Sequence, residues 1–133
     1  MRDRLVVDTT IFATIVLREG DWRELAGRLA SLRAIFAAPF FRFECANVVW
    51  KRRRELGAEA SAAALDLVWG LGVDERFDVA DAHRALILGR NHQLPFYDAA
   101  FIAVAEREGV PLWTLDGRQG DVASALGVVL QPR

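Results

Sequence analysis

Two short apolar runs, each closed by a carboxylate, constrain this chain more than any other feature: RLVVD at residues 4–8 and LWTLD at 112–116. Runs this short, apolar on successive residues, predict strands buried on both faces. AIFAAP (34–39) reads the same way and is stopped by Pro39. The segments between have helical period instead. TTIFATIVL follows Asp8, with Thr9 or Thr10 available as its cap, and Trp22, Leu25, Ala26 and Leu29 recur at i, i+3, i+4 and i+7. FFRFECANVVWKRRRELG (40–57) predicts a helix ending at Gly57, and a second helix runs over about 58–71 to the GLG break. Residues 73–79 fit a short strand or a loop. DAHRALILGRNH (81–92) and 97–108 are helical, the latter behind Pro95. A short helix near 121–126 and a strand GVVLQ (127–131) close the chain. Strands alternating with helices predict one α/β domain over residues 1–133, a parallel-sheet α/β/α sandwich.

Composition narrows what such a domain does. With 53% hydrophobic and 26% charged residues, the chain of 133 residues has the makeup of an ordinary globular protein. Its net charge of −1, from 17 basic and 18 acidic side chains, argues against a generally basic nucleic-acid binder but allows a local basic patch. All but one of the basic residues are arginine, the exception being Lys51. The single cysteine, Cys45, excludes an internal disulfide and reads as a small helix-packing residue. No apolar run approaches the roughly 18 residues of a membrane span, so a cytoplasmic location with no membrane partner is expected.

In an open α/β sheet, sites form beyond the carboxyl ends of the strands. Asp8 and Asp116 occupy such ends. Glu44 lies early on its helix and shares a face with Asn47 and Lys51, at i+3 and i+7. Asp98 heads the run AAFIAVA and shares a face with Phe101, Ile102 and Ala105. Each acid has an ordinary reading when taken singly: a loop cap for Asp8 or Asp116, a helix N-terminal charge for Asp98, a paired surface residue for Glu44. Only their joint placement suggests more. Carboxylates gathered without counter-charge repel and raise one another's pKa, and a divalent cation relieves that. An all-oxygen set suits Mg2+ or Mn2+ over Zn2+, and such an ion can activate water against a phosphoryl group.

The ordered set VVDTTIF, FECANVVWK, YDAAFIAVAERE and LWTLD resembles the PIN-domain ribonucleases, most of all the VapC type, toxins of toxin–antitoxin pairs. The resemblance spans essentially the whole chain and implies a PIN-like fold and a metal-dependent endoribonuclease. On this resemblance Asp8, Glu44, Asp98 and Asp116 are catalytic and hold Mg2+ or Mn2+. Thr10 matches the hydroxyl residue two positions after the first aspartate, Asn47 the polar residue one turn after the glutamate, and Thr114 the threonine two before the last acid. The partners implied are an RNA substrate, a cognate antitoxin and a second copy in a homodimer. The chain departs from the family pattern after Asp116, where GRQGD stands, and this leaves open whether Asp121 reaches the metal.

KRRR (51–54) closes its helix, where cations complement the dipole; Lys51 and Arg52 are the candidates for RNA contact. Arg18, Arg23, Arg28 and Arg33 recur every five residues, which makes no helical stripe, and receive no role. Trp22, Trp50, Trp69, Trp113 and the Phe40, Phe41, Phe43 group read as core or packing residues, with base stacking and a partner surface around Trp22 as alternatives. A haloacid-dehalogenase-type phosphatase also starts from a strand-end aspartate, but needs a second one where Thr10 stands. A catalytically silent PIN-fold binding module, and a DNA-directed or housekeeping nuclease, are the remaining alternatives.

Overall fold

A computed structural model describes residues 3–133. Along the chain run β1 (Arg4–Val7), α1 (Thr9–Val16), α2 (Trp22–Ala30), β2 (Ala34–Ala37), α3 (Phe41–Lys51) and α4 (Arg53–Gly70). These are followed by β3 (Asp74–Glu75), α5 (Val79–His92), α6 (Phe96–Glu108), β4 (Leu112–Trp113) and α7 (Gly117–Ala125). The four strands are parallel in the order β3-β2-β1-β4. Val6 is the hinge of the register, facing Phe36 on one side and Leu112 on the other. Leu5, Val6 and Val7 are fully buried, as a central parallel strand covered on both faces requires. The α/β class and the parallel sheet flanked by helices are therefore as the sequence predicts.

The helices form two packed groups. Helix α1 lies against α2, α3 and α4, whereas α6 packs on β1 and β4 with α5 outside it. Every residue of α6 from Ala99 to Ala105 is buried, so this helix is apolar all round and needs cover on every side. Bidentate bonds from Arg107 to the buried Asp81, and from Arg84 to Glu106, tie α5 to it. Asp81 also completes a reciprocal capping box with Asp78 at the start of α5.

Several boundaries differ from expectation, each for a local reason. Helix α1 is capped by Asp8, not by Thr9 or Thr10, because the carboxylate reaches the Thr10 amide. The predicted helix 40–57 breaks at Arg52, and the next helix is itself interrupted at Gly57, whose φ of 80° and ψ of 170° suit glycine alone. Residues 73–79 supply the two-residue strand β3. LWTLD is strand only through Trp113, because Asp116 leaves the sheet to cap α7, which consequently starts at Gly117 and not near 121. In place of a strand over 127–131 there is a single parallel bridge, Leu112 to Leu130. Trp113 and Phe41 are core residues as predicted, but Phe43, Trp50 and Trp69 are mostly exposed, with Phe43 set edge-on to Trp69. Arg28 does acquire a role: it lies over the Trp113 ring and donates to the Pro132 carbonyl.

Candidate active site

The carboxyl ends of β1 and β4, and the first turns of α1, α3, α6 and α7, surround the acidic residues. Asp8 follows β1 and turns straight into α1. Its Oδ1 accepts from the Thr10 amide at 2.5 Å, and its Oδ2 accepts from the hydroxyls of Thr10, at 3.2 Å, and Thr114. Thr10 Oγ1 accepts in turn from the Leu115 amide at 2.9 Å, joining α1 to the end of β4. Asp8 is only 4% exposed. Burial pushes its carboxyl up to about 6; the threonine bonds oppose this and the negative charge of Asp98 adds to it.

Glu44 sits in the first turn of α3 and accepts from Thr9 Oγ1 at 2.7 Å. Its pKa is raised, chiefly by burial, with the Thr9 bond opposing and Asp98 adding repulsion. Asp98 opens α6 and is raised by burial and then by Asp116. Asp116 caps α7 through a bond from the Gln119 amide at 3.1 Å. The four acids are thus linked by repulsion through Asp98, which acts on Asp8 and Glu44 and is acted on by Asp116. Among the described residues no arginine, lysine or histidine forms an ion pair with any of them. The charge is left uncompensated.

The donor chemistry fits a hard cation. Carboxylate and hydroxyl oxygens surround the site, whereas Cys45, the only thiol, is buried and pushed up to about 12, hence neutral. As placed, no three His, Cys, Asp or Glu side chains among the described residues close on one point. Mg2+ does not need such a cage, because it keeps several waters and takes one or two carboxylates directly. A set of acids held a little apart, with hydroxyls fixing one of them, is compatible with that mode.

The other predicted residues separate. Thr10 and Thr114 both bond Asp8. Asn47 and Lys51 are exposed along α3, beyond Glu44. Arg52 is drawn aside into ion pairs with Glu19 at 2.8 Å and Glu55 at 3.4 Å. Asp121 is exposed on α7. Two contributors lie outside the sequence expectation. Thr9, predicted only as a cap, bonds Glu44 instead. Gln119, 1% exposed, gives its Nε2–H to the Asp98 carbonyl at 3.0 Å while its Oε1 accepts from Thr114 Oγ1 at 2.7 Å. The one signal for Gln119 was its place three residues after Asp116, the spacing of a capping box.

A model of the PIN domain matches residues 5–125. Ribonuclease VapC3 of Pyrobaculum aerophilum is 27% identical over 132 residues, covering 92% of this chain and 97% of that protein. The crystal structure of PAE2754 from the same organism has a TM-score of 0.65 at 24% identity, covering 92% of this chain and 87% of its own. That of VapC20 from Mycobacterium tuberculosis, described as a toxin cleaving the sarcin-ricin loop, has a TM-score of 0.70 at 21% identity, covering 96% and 99%. At these identities the two structures speak for the fold.

Proposed function

This chain belongs to the PIN-domain family, and from that premise we propose that it is a metal-dependent endoribonuclease, the toxin of a toxin–antitoxin pair. The observation that carries this reading is the acidic group itself: three carboxyls raised above their ordinary values and, among the described residues, no basic side chain paired with any of the four. Asp8, Glu44, Asp98 and Asp116 would hold Mg2+ or Mn2+. Such an ion lowers the pKa of water and offsets charge on a phosphodiester. The protein's part is to aim the oxygens. Thr10 and Thr114 fix the Asp8 carboxylate from two elements, Thr9 fixes Glu44, and the α7 N-terminus orients Asp116. The relative named Ribonuclease VapC3 supports ribonuclease activity, and the neighbour described as a toxin supports the biological role.

Lys51, exposed past Glu44 on α3, is the basic residue best placed for the RNA backbone; Arg52 serves only if it leaves Glu19 and Glu55. A cognate antitoxin and a second copy are the protein partners of this reading. Apolar side chains exposed on α3 and α4 (Phe43, Trp50, Trp69) and on α5 (Val79, Leu86, Ile87) give them surface to cover. Action in the cytoplasm belongs to the same proposal; among the described residues no helix is long and apolar enough to cross a membrane.

The test is Asp98→Asn, which removes the charge shared by the other three acids and keeps the shape. Cleavage of single-stranded RNA in Mg2+ should fall at least about 100-fold, the scale of a lost transition-state charge contact, with the melting temperature retained. Unchanged cleavage by the folded variant would overturn the assignment. For the toxin role, growth arrest on induction, relieved by co-expressing a small neighbouring gene product, is the expected result.

A further inference from the structure

Asp116 and Gln119 stand at the spacing of a capping box, yet only half of the box forms. The Gln119 amide donates to Asp116 Oδ1, as it should. The reciprocal bond, from the Asp116 amide to the Gln119 side chain, is replaced by one from that amide to Thr114 Oγ1 at 2.9 Å. Asp78 and Asp81 on α5 show the complete alternative in the same molecule. Relieved of capping, the Gln119 side chain turns into the protein and is almost fully buried. There it spans two segments, donating to the Asp98 carbonyl of α6 and accepting from the Thr114 hydroxyl beside β4.

The orientation of this amide follows from its partners. Nε2 faces a carbonyl, which accepts only, so Oε1 must face Thr114. The Thr114 hydroxyl has one proton and three acceptors in reach, Asp8 Oδ2, Gln119 Oε1 at 2.7 Å and, farther off at 3.4 Å, Thr10 Oγ1. Gln119 thus supplies a close acceptor, nearer than Thr10 Oγ1, that competes with Asp8 for this proton, and it ties Thr114 to the first turn of α6.

We propose that Gln119 is a positioning residue: acting through Thr114 and the Asp98 carbonyl, it sets the relative aim of the Asp8 and Asp98 carboxylates toward a shared divalent cation. This rests on the cation reading given above. It concerns a residue within GRQGD, the stretch where the chain departs from the pattern it otherwise resembles.

The experiment is Mn2+ binding by calorimetry on the full chain, with melting in EDTA measured alongside. Gln119→Met keeps the length and loses both bonds; Asp98 and Thr114 keep other partners, so melting in EDTA should move by less than about 4 °C. Mn2+ affinity should fall about tenfold or more, as for partners that orient metal ligands. Thr114→Val should weaken binding similarly, and the double variant should be no weaker than the poorer single one. Gln119→Asn keeps an amide too short to span both partners and has to show the same loss. If the methionine variant does not fold, it decides the question alone. Binding within about twofold of the parent, or losses that multiply in the double variant, would overturn the proposal. A parent that binds no Mn2+ would overturn the cation reading and this inference with it.

Discussion

Asp8 is a carboxylate held where an ionised form is costly. Its pKa stands at about 6 instead of 3.8, because burial outweighs the hydrogen bonds that favour the charge. A pKa raised by folding means that the folded chain holds that proton more tightly than the unfolded one. The stability gained is complete below about 3.8 and is lost as pH rises through about 6, an interval worth about 3 kcal/mol. Glu44 and Asp98 shift in the same direction. Asp81, lowered by Arg107, acts oppositely, but its window lies below 3.8. In EDTA the protein should therefore melt higher at pH 5 than at pH 7. Asp8→Asn should gain stability at pH 7 and flatten much of that difference, as thermal melts across pH would show. A parent that melts lower at pH 5 would contradict this account. That these four acids come near one another at the candidate site was legible in the sequence, because strand ends and helix starts converge in a parallel sheet. Which hydroxyls and amides hold them was not. Thr9 and Gln119 act across 35 and 21 residues of chain, contacts that no local pattern encodes.

At the scale of elements, sequence period located the helices well and their ends poorly. Helix α6 was recognisable because its apolar run and Pro95 are both local signals. The boundaries that moved were decided by capping bonds: Asp8 and Asp116 each end a strand early by accepting from the next helix. Length is the other limit, since β3 and β4 have two residues each and take their form from β2 and β1 beside them. Gly57 shows the opposite case, a single residue whose backbone decides an element. As the sequence predicts, a helix stops there: at a φ of 80° Gly57 divides α4 into two helical segments, with nothing within 4 Å of where a Cβ would stand. Gly57→Ala should therefore cost about 1–3 kcal/mol from backbone strain alone, measured by chemical denaturation. A cost near zero would mean that this turn relaxes into an ordinary helix.

For the whole molecule, the strand order β3-β2-β1-β4 puts the first strand inside the sheet, with both neighbours coming from later chain. Sequence alternation predicts the class of such a fold but not this order, which depends on register between distant segments. The order matters because it draws parts of the chain more than 100 residues apart onto one edge, as the bond from Thr114 to Asp8 shows. A cation bound there would join α1, α3, α6 and α7 at once. Adding Mg2+ should slow amide exchange together at the first turns of these helices and leave the opposite end, around Gly109 and Gly127, unaffected. Protection confined to one helix would argue for a single ligand instead of a shared one.

Cys45 lies one residue after Glu44, on the buried side of α3, fully enclosed and with its thiol pushed up to about 12. Alkylating reagents need both access and a thiolate, and the closed chain offers neither. Each modification event therefore records an occasion on which the packing of α3 against α1 and α4 has opened. The protein carries its own clock for the opening of the helix that bears Glu44.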